Sequence, residues 1–256
     1  MTNIHPTALV DPKAQLGENV TVGPFTVIEA DVQIGEGTTV ASNVLIADGA
    51  RIGRDCNIHH GAVVATLPQD LKFGGEKTTF EIGDNTTVRE FCTLNRGTQM
   101  RGKSTVGSNC LLMAYTHVAH DCIIGNNVIL ANAVQLAGHV TVEDFAIIGG
   151  LSGVHQFCRI GQHVMIGGHF RATKDVPPYI LASEEPLRFI GLNSVGLRRR
   201  GFSEQTMSAL KHAYRLLYRS NLNVSQAVAR IKEEVELLPE VKNVLDFIEK
   251  AERGLI

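Results

Sequence analysis

The stretch Leu16-Gly17-Glu18-Asn19-Val20-Thr21 is an early copy of a six-residue unit that recurs through most of this 256-residue chain. The unit begins with an aliphatic residue, Gly or a turn-forming residue often follows, and a small residue stands four places after the first. Ile34-Gly35-Glu36-Gly37-Thr38-Thr39 and Ile124-Gly125-Asn126-Asn127-Val128-Ile129 repeat this order. A period of six fits neither an isolated amphipathic helix nor a free alternating strand, and it is typical of a solenoid.

Aliphatic residues occupy every sixth position in three separate runs. The first run is Ile4, Val10, Leu16, Val22, Ile28, Ile34, Val40, Ile46, Ile52, Ile58 and Val64, the second is Ile82, Val88 and Leu94, and the third is Val106, Leu112, Val118, Ile124, Leu130, Leu136, Val142, Ile148, Val154, Ile160 and Ile166. Three units would form one triangular coil of three short parallel strands, with successive coils about 4.8 Å apart. We therefore predict a mainly β protein with a parallel β-helix over residues 1–185, in which residues eighteen apart are stacked.

Two gaps interrupt the period, at about residues 65–81 and 95–105. Both contain Gly together with charged residues, and we interpret them as loops extruded from the prism. Long loops on a rigid scaffold often carry function, and a tolerated insertion is the alternative.

The period of six ends after Asp175-Val176-Pro177-Pro178, and helical spacing begins at Phe202. Ser203 is a plausible N-cap for a first helix. Apolar residues at helical spacing then indicate three helices. These residues are Met207, Leu210, Ala213, Tyr214 and Leu217, then Val224, Ala227, Val228 and Ile231, then Val241, Val244, Leu245 and Ile248. We predict a C-terminal helical domain over residues 186–256.

The composition excludes several classes of protein. The net charge is −2, no apolar stretch approaches the ~20 residues of a membrane-spanning helix, and the N-terminus lacks a signal-peptide pattern. We therefore expect a cytoplasmic protein without a transmembrane segment. Residues 186–256 carry +4, with a basic run at Arg198-Arg199-Arg200. This run is either a solvated helix edge or a docking surface for an acidic or phosphate-bearing partner. The absence of a long basic stripe argues against nucleic acid.

All five cysteines occupy the small inward position of the repeat: Cys56, Cys92, Cys110, Cys122 and Cys158. This shared position favours core packing over disulfides, metal ligation or nucleophilic catalysis.

Four of the ten histidines cluster in the sequence, at His117, His120, His139 and His155. Stacking by eighteen places His120, then Gly138 and His139, then His155 and Gln156 in one column on an edge of the prism. A neutral imidazole is the usual general base at cellular pH, and Asp121 could orient His120. The backbone N–H beside Gly138 could approach a carbonyl oxygen closely.

Two alternatives remain for this column. The histidines are individually more typical of surface polar residues, and together they could bind a metal. We predict no metal, because no patterned outward carboxylate or cysteine accompanies them, and we also predict no cofactor. The sequence contains no nucleophile elbow, no phosphate-binding loop and no dinucleotide fingerprint. A direct transfer assisted by a general base is therefore favoured.

Motifs along the whole chain resemble a known family. They are Gln69-Asp70-Leu71-Lys72, Arg96-Gly97-Thr98, Leu111-Leu112-Met113, His117-Val118-Ala119-His120-Asp121, Leu136-Ala137-Gly138-His139-Val140, Val154-His155-Gln156-Phe157-Cys158, Lys174-Asp175-Val176-Pro177-Pro178-Tyr179, Gly196-Leu197-Arg198-Arg199-Arg200-Gly201-Phe202 and Arg253-Gly254-Leu255-Ile256. The chain resembles the hexapeptide-repeat acyltransferases that transfer an acyl chain from acyl carrier protein to UDP-N-acetylglucosamine.

The resemblance implies a homotrimer of left-handed β-helices with active sites between subunits. It implies transfer of an (R)-3-hydroxyacyl chain from the phosphopantetheine of acyl carrier protein to the glucosamine 3-hydroxyl, the first step of lipid A biosynthesis. His120 would be the general base, Asp121 its helper, and Gly138 N–H the oxyanion donor. Sugar, phosphate and pantetheine would be positioned by Asp70, Lys72, His117, His139, His155 and Gln156. The nucleotide would be held by Asn193 and Arg199.

The resemblance also places Gly168 where the family limits acyl length, and a Gly there implies a chain of roughly fourteen carbons. A 3-amino sugar as acceptor, giving an amide, remains open, as do the nucleotide contacts of residues 183–195. The later N-acyltransferase of the same pathway usually has an N-terminal uridine-binding domain, whereas the repeat here begins at Ile4. A catalytically inactive scaffold and a zinc-dependent prism are the alternatives from other classes.

Overall fold

The computed structural model describes residues 2–256 and shows a parallel β-helix followed by a helical region. Three sheets form the faces of the prism. Face A contains β1 (Asn3–Ile4), β4 (Thr21–Val22), β7 (Thr39–Val40), β10 (Asn57–Ile58), β13 (Thr87–Val88), β16 (Leu111–Leu112), β19 (Ile129–Leu130), β22 (Ile147–Ile148), β25 (Met165–Ile166), β27 (Ile180–Ser183) and β28 (Arg188–Leu192). Face B contains β2 (Leu9–Val10), β5 (Val27–Ile28), β8 (Leu45–Ile46), β11 (Val63–Thr66), β14 (Thr93–Asn95), β17 (His117–Val118), β20 (Gln135–Leu136), β23 (Gly153–Val154) and β26 (Arg171–Ala172). Face C contains β3 (Gln15–Leu16), β6 (Gln33–Ile34), β9 (Ala50–Ile52), β12 (Thr79–Ile82), β15 (Lys103–Val106), β18 (Ile123–Ile124), β21 (Thr141–Val142) and β24 (Arg159–Ile160).

Strand register confirms the eighteen-residue coil over most of the prism. Asn3 pairs with Thr21, and His117 pairs with Gln135. The predicted spacing is wrong where the loops leave the prism, since Val63 pairs with Thr93 and Thr93 pairs with His117. The first loop therefore adds twelve residues to a coil and the second adds six.

Both loops are shorter than the sequence predicts. The first loop comprises residues 67–78 and the second residues 96–102, because β11, β12, β14 and β15 continue into the predicted gaps. The six-residue pattern of aliphatic residues stops before the strands end, so the pattern cannot predict where the loops begin and end.

From Val22 onward, the residues at every sixth position point into the prism and form its core, with Ile46, Leu94 and Leu136 fully buried, whereas Ile4 at the open first coil is exposed. The five cysteines are free and buried, as predicted. Burial raises the pKa of the Cys122 thiol to about 12, so this cysteine stays a neutral core residue at cellular pH. Threonines also occupy the small inward position. The buried Thr38 hydroxyl, for example, donates to the Gly53 carbonyl at 2.9 Å.

The helical region begins from a hairpin that crosses the predicted domain boundary at residues 185 and 186. In this hairpin β27 pairs antiparallel with β28. Four helices follow: α1 (Ser194–Arg199), α2 (Glu204–Tyr218), α3 (Val224–Glu234) and α4 (Pro239–Glu249). Ser203 caps α2 as predicted, accepting from Thr206 N–H, whereas α1 was not predicted from the sequence. No helix within residues 2–256 combines the length and apolarity required to cross a bilayer.

The C-terminal tail returns to the end of the prism through one buried carboxylate. Asp175 accepts hydrogen bonds from the backbone N–H of Arg159 at 2.7 Å and of Arg253 at 3.2 Å. Asp175 also forms a parallel bridge with Leu255. The last residues of the chain thus cover the edge of the final coil.

Candidate active site

His120 and Asp121 form a hydrogen-bonded pair at the edge between faces B and C, directly after β17. His120 Nδ1 donates to Asp121 Oδ2 at 2.8 Å. Asp121 is fully buried, and its backbone φ of 59° is that of a left-handed corner. Because Nδ1 carries the proton in this bond, Nε2 is the ring nitrogen that can accept another.

Asp121 takes both of its other hydrogen bonds from Thr98 of the second loop. Thr98 N–H donates to Oδ1 at 3.0 Å, and the Thr98 hydroxyl donates to Oδ2 at 2.7 Å. Burial would raise the pKa of Asp121, but the hydrogen bonds from His120 and Thr98 outweigh it and hold that pKa below its ordinary value. Asp121 is therefore a carboxylate at cellular pH.

His139 lies one coil above this pair. Its ring meets the His120 ring edge-on, with centroids 5.1 Å apart, and stacks on Phe157 at 4.4 Å. Its Nε2 is 3.7 Å from Asp121 Oδ2. Burial lowers the pKa of His139, although the charge of Asp121 opposes that effect. His139 is therefore predominantly neutral near pH 7.

Gly138 lies directly over the ring of His120. A Cβ built on Gly138 would be 2.6 Å from His120 Cε1 and 2.7 Å from Nε2. Within residues 2–256 the backbone N–H of Gly138 has no hydrogen-bond acceptor. The arrangement therefore places a free backbone donor beside the basic nitrogen of His120.

The remaining histidines continue along the same part of the prism. His117 Nδ1 shares a hydrogen bond of 2.7 Å with the Thr93 hydroxyl, and burial lowers the pKa of His117. His155 and Gln156 follow one coil beyond Gly138 and are exposed. The Arg253 guanidinium donates to His155 Nδ1 at 3.2 Å.

Asp70 and Lys72 lie in the first loop. Lys72 N–H donates to the Asp70 carboxylate at 2.9 Å, and the charge of Asp70 acts to raise the pKa of His139. Glu76 joins the two loops, because its carboxylate accepts from Gly74 N–H and Gln99 N–H. Asp70 thus acts on the histidine column through its charge, and Lys72 is held to Asp70 within the loop.

Asn193 and Arg199 do not meet His120 within one chain. Asn193 caps α1 by accepting from Gly196 N–H at 3.2 Å, and its amide donates to the His163 carbonyl at 3.0 Å. His163 belongs to the edge between faces C and A, and one face is roughly 20 Å wide at about 3.3 Å per residue.

The basic run predicted as a possible docking surface is divided among different neighbours. Arg198 forms an ion pair with Glu204, and Arg200 lies over the ring of Phe145. Arg199 is exposed. The run is therefore not a single uniform basic patch.

Gly168 occupies the third edge, between faces A and B. A Cβ there would be 3.1 Å from the Gly150 carbonyl oxygen, one coil below. Like Asn193, Gly168 belongs to a different edge of the chain from His120.

A metal ion is the remaining alternative for the column. Ligand atoms of His120, Asp121 and His139 lie within 4.8 Å of one another. Both carboxylate oxygens of Asp121 already accept hydrogen bonds from Thr98 and His120. The three residues therefore offer a metal ion fewer free ligand atoms than their distances alone indicate.

The structure gives contacts at this site to three residues for which the sequence predicted no role: Thr98, Asn95 and Arg253. Asn95 is buried, and its amide donates to the Thr66 hydroxyl and the Leu67 carbonyl, where the first loop begins. Thr98 and Asn95 act through loops whose folded path the repeat does not specify. Arg253 reaches His155 only because the C-terminal tail returns to the prism.

Known protein families match both parts of this chain. The family of bacterial transferase hexapeptide repeats matches residues 13–48, 31–66 and 103–138. The second domain of UDP-N-acetylglucosamine O-acyltransferases matches residues 175–256. The chain is thus a hexapeptide-repeat transferase with a specialised C-terminal domain.

Full-length relatives define the family more narrowly. The chain is 54% identical over 257 residues to the acyl-[acyl-carrier-protein]–UDP-N-acetylglucosamine O-acyltransferase of Thiobacillus denitrificans, covering 100% of both chains. It is 52% identical to that of Stenotrophomonas maltophilia, covering 99% of this chain and 97% of the relative. The chain belongs to the UDP-N-acetylglucosamine O-acyltransferase family.

Solved structures agree with this assignment. A UDP-N-acetylglucosamine acyltransferase from Bacteroides fragilis superimposes with a TM-score of 0.97 at 47% identity, covering 98% of this chain and 99% of the other. That of Francisella novicida gives 0.96 at 38% identity, covering 99% and 93%. The predicted fold class, a left-handed parallel β-helix with a C-terminal helical domain, is confirmed.

Proposed function

We propose that this chain transfers an (R)-3-hydroxyacyl group from acyl carrier protein to the glucosamine 3-hydroxyl of UDP-N-acetylglucosamine, the first step of lipid A biosynthesis. The observation that carries the proposal is the His120–Asp121 pair, with the unpartnered N–H of Gly138 beside it. The names of the full-length relatives support the same reaction.

His120 acts as the general base. Its Nε2 takes the proton of the sugar 3-hydroxyl while the oxygen attacks the thioester carbonyl carbon. Asp121 accepts the Nδ1 proton in a hydrogen bond, which keeps the ring in the correct tautomer and stabilises its charged form. When the C–S bond breaks, the protonated ring returns the proton to the departing thiolate. The products are an ester and the free phosphopantetheine thiol.

Gly138 N–H stabilises the negative charge that develops on the thioester oxygen. A donor aligned in advance with such an oxygen contributes about 10²–10³-fold to the rate. The absence of a side chain at Gly138 leaves room for the ring of His120, so that the base and the N–H donor can lie close together.

The other predicted residues bind substrate rather than react. We assign the positioning of the sugar and its phosphates to His117, His139 and the loop residues Asp70 and Lys72. One coil beyond, His155 and Gln156 contact the pantetheine arm.

The complete site requires a second copy of the chain. Asn193 and Arg199, which we assign to the nucleotide, and Gly168, which we assign to the end of the acyl chain, lie on edges other than that of His120. We therefore propose a homotrimer in which neighbouring subunits contribute opposite walls of each site. Sedimentation of the purified protein would give the mass of three 27.8 kDa chains.

The proposal is tested by supplying UDP-N-acetylglucosamine with a library of 3-hydroxyacyl carriers and identifying the product by mass spectrometry. We expect an O-acylated sugar and release of the carrier thiol. A 3-amino UDP-sugar in the same reaction distinguishes ester from amide formation, and amide as the preferred product would favour the alternative acceptor. The absence of bound cofactor and the cytoplasmic location remain predictions.

A further inference from the structure

The second loop replaces a corner of the prism directly below Asp121. Gly97 is the second residue of this loop and Lys103 begins the strand after it, and the two are so close that a Cβ on Gly97 would lie 2.4 Å from Lys103 N. The six additional residues bring Thr98 beneath the carboxylate of Asp121, which follows three strands later in the chain. A regular coil would place an ordinary turn residue there, and Thr98 is 8% exposed in this position.

Thr98 satisfies Asp121 with two donors aimed at different oxygens. The N–H binds Oδ1, and the hydroxyl binds the same Oδ2 that receives the proton of His120 Nδ1. Met100 N–H donates to the Thr98 hydroxyl at 3.3 Å, which leaves the hydroxyl proton directed at Asp121. Both contacts to Asp121 therefore depend on the fold of the second loop.

We propose that Thr98 is a positioning residue of the reaction, holding Asp121 in the orientation that keeps His120 in its proton-accepting tautomer. This inference rests on the proposed function of His120 as general base. Thr98 does not touch the reacting atoms. Its effect passes through the carboxylate, because a buried carboxylate held at both oxygens cannot turn away from the imidazole.

The surrounding charges define what a change at Thr98 can alter. His120 lies beside Asp121 on the same corner, and His139 faces it from the next coil. Arg101 of the second loop and Asp70 of the first act on His139 with opposite sign. Removing the Thr98 hydroxyl changes none of these charges. It makes the shared Oδ2 a stronger acceptor, which stabilises the protonated form of the neighbouring imidazole.

The test compares Thr98→Val, which removes the hydroxyl and keeps the shape, with Thr98→Ser, which keeps both donors. In Thr98→Val we expect kcat to fall about tenfold, a part of the ~10²–10⁴-fold that general-base catalysis supplies. We also expect the KM for the UDP-sugar to stay within about twofold and the acid limb of the kcat–pH profile to move to higher pH. Thr98→Ser should restore both the rate and the profile.

Thr38→Val is the matched control, because it also removes a buried threonine hydroxyl with two hydrogen bonds, far from the His120 corner. It should lower the melting temperature without moving the pH profile. In an Asp121→Ala background, Thr98→Val should cost no further activity, since no carboxylate remains to be held.

A proton NMR signal makes the inference testable apart from turnover. The Nδ1–H proton of His120 should persist in the wild-type protein and in Thr98→Ser, and should broaden or shift in Thr98→Val. If the wild-type protein has no acyltransferase activity, the proposed function is wrong. The NMR comparison still tests the role of Thr98 in that case, because it does not depend on turnover. The inference is overturned if Thr98→Val keeps the wild-type kcat, pH profile and Nδ1–H signal, or if its loss of activity occurs at every pH alike.

Discussion

The imidazole of His120 occupies the space that a side chain at residue 138 would need. A Cβ on Gly138 would approach His120 Cε1 to 2.6 Å, well inside normal contact distance. His120 and Gly138, eighteen residues apart in the chain, are thus sterically coupled. The imidazole can occupy its position only because residue 138 is a glycine.

We expect Gly138→Ala to displace the His120 ring and to lower kcat by at least about 10²-fold, because both the base and the adjacent N–H would move. Steady-state kinetics and circular dichroism of the purified variant check this. Gly153→Ala is the matched control, since a Cβ there would meet no atom within 4 Å, and it should retain wild-type kinetics. Normal turnover by Gly138→Ala would contradict the proposed geometry.

Replacement of His120 by Ala should remove nearly all turnover, by about 10²–10⁴-fold, while the chain stays folded. The ring contributes a hydrogen bond and edge contacts at the surface of the column rather than core packing. Product formation and sedimentation would be measured on the same sample. A variant that turns over near the wild-type rate would exclude His120 as the general base.

Mixed trimers test the assembly of the site. His120→Ala and Arg199→Ala should each be inactive alone, because each removes one wall of every site. If the walls come from different subunits, unfolding and refolding an equal mixture should recover about a quarter of the wild-type sites, as expected for random cyclic assembly. If mixed trimers form but no activity is recovered, one chain must hold the whole site.

The identity of residue 168 should set the length of the acyl chain. Gly168→Met would fill the edge beside Gly150, where even a Cβ lies at 3.1 Å from a carbonyl oxygen. Competition between ten- and fourteen-carbon 3-hydroxyacyl donors, read by mass spectrometry, should favour the longer donor for wild type and the shorter for the variant. An unchanged ratio would place the end of the acyl chain elsewhere.

His163 should make the stability of the protein fall in mild acid. Its ring is stacked between Phe145 and Tyr179 with Nδ1 buried and unpaired, and burial together with the charge of Arg200 lowers the pKa of His163 to about 4. The unfolded chain binds this proton near pH 6.5, so the contribution to stability is present above that pH and is lost as the pH falls toward 4.

His163→Phe should keep the stack and remove this dependence. Between pH 7 and pH 5 we expect the unfolding free energy of the wild type to drop by about 2 kcal/mol more than that of the variant. Urea titrations at fixed chain concentration measure both. Parallel losses in the two proteins would show that His163 does not titrate in this range.

The sequence specified the prism because the inward positions are set by an exact spacing. Ile46 and Cys122 could be assigned to the core from their place in the repeat, and His120 and Gly138 could be stacked by counting eighteen. Counting by eighteen fails across the two loops, where paired residues are thirty and twenty-four positions apart in the chain.

The other parts of the candidate site depend on contacts that no local sequence pattern predicts. Thr98 reaches Asp121 only after the second loop has folded back, and Asn193 caps a short helix that lacks an apolar stripe of helical length. The walls of the site on other edges require a partner chain, which the spacing within one chain cannot specify.

The carboxylate of Asp175 joins two backbone N–H groups that are 94 residues apart in the chain, those of Arg159 and Arg253. All four helices lie between them in the chain. The open edge of the last coil therefore stays uncovered until the helical region has been made and has turned back. Any delay in folding of that region leaves an unpaired β edge available to other chains, so a destabilised α4 would appear first as aggregation rather than as lost catalysis.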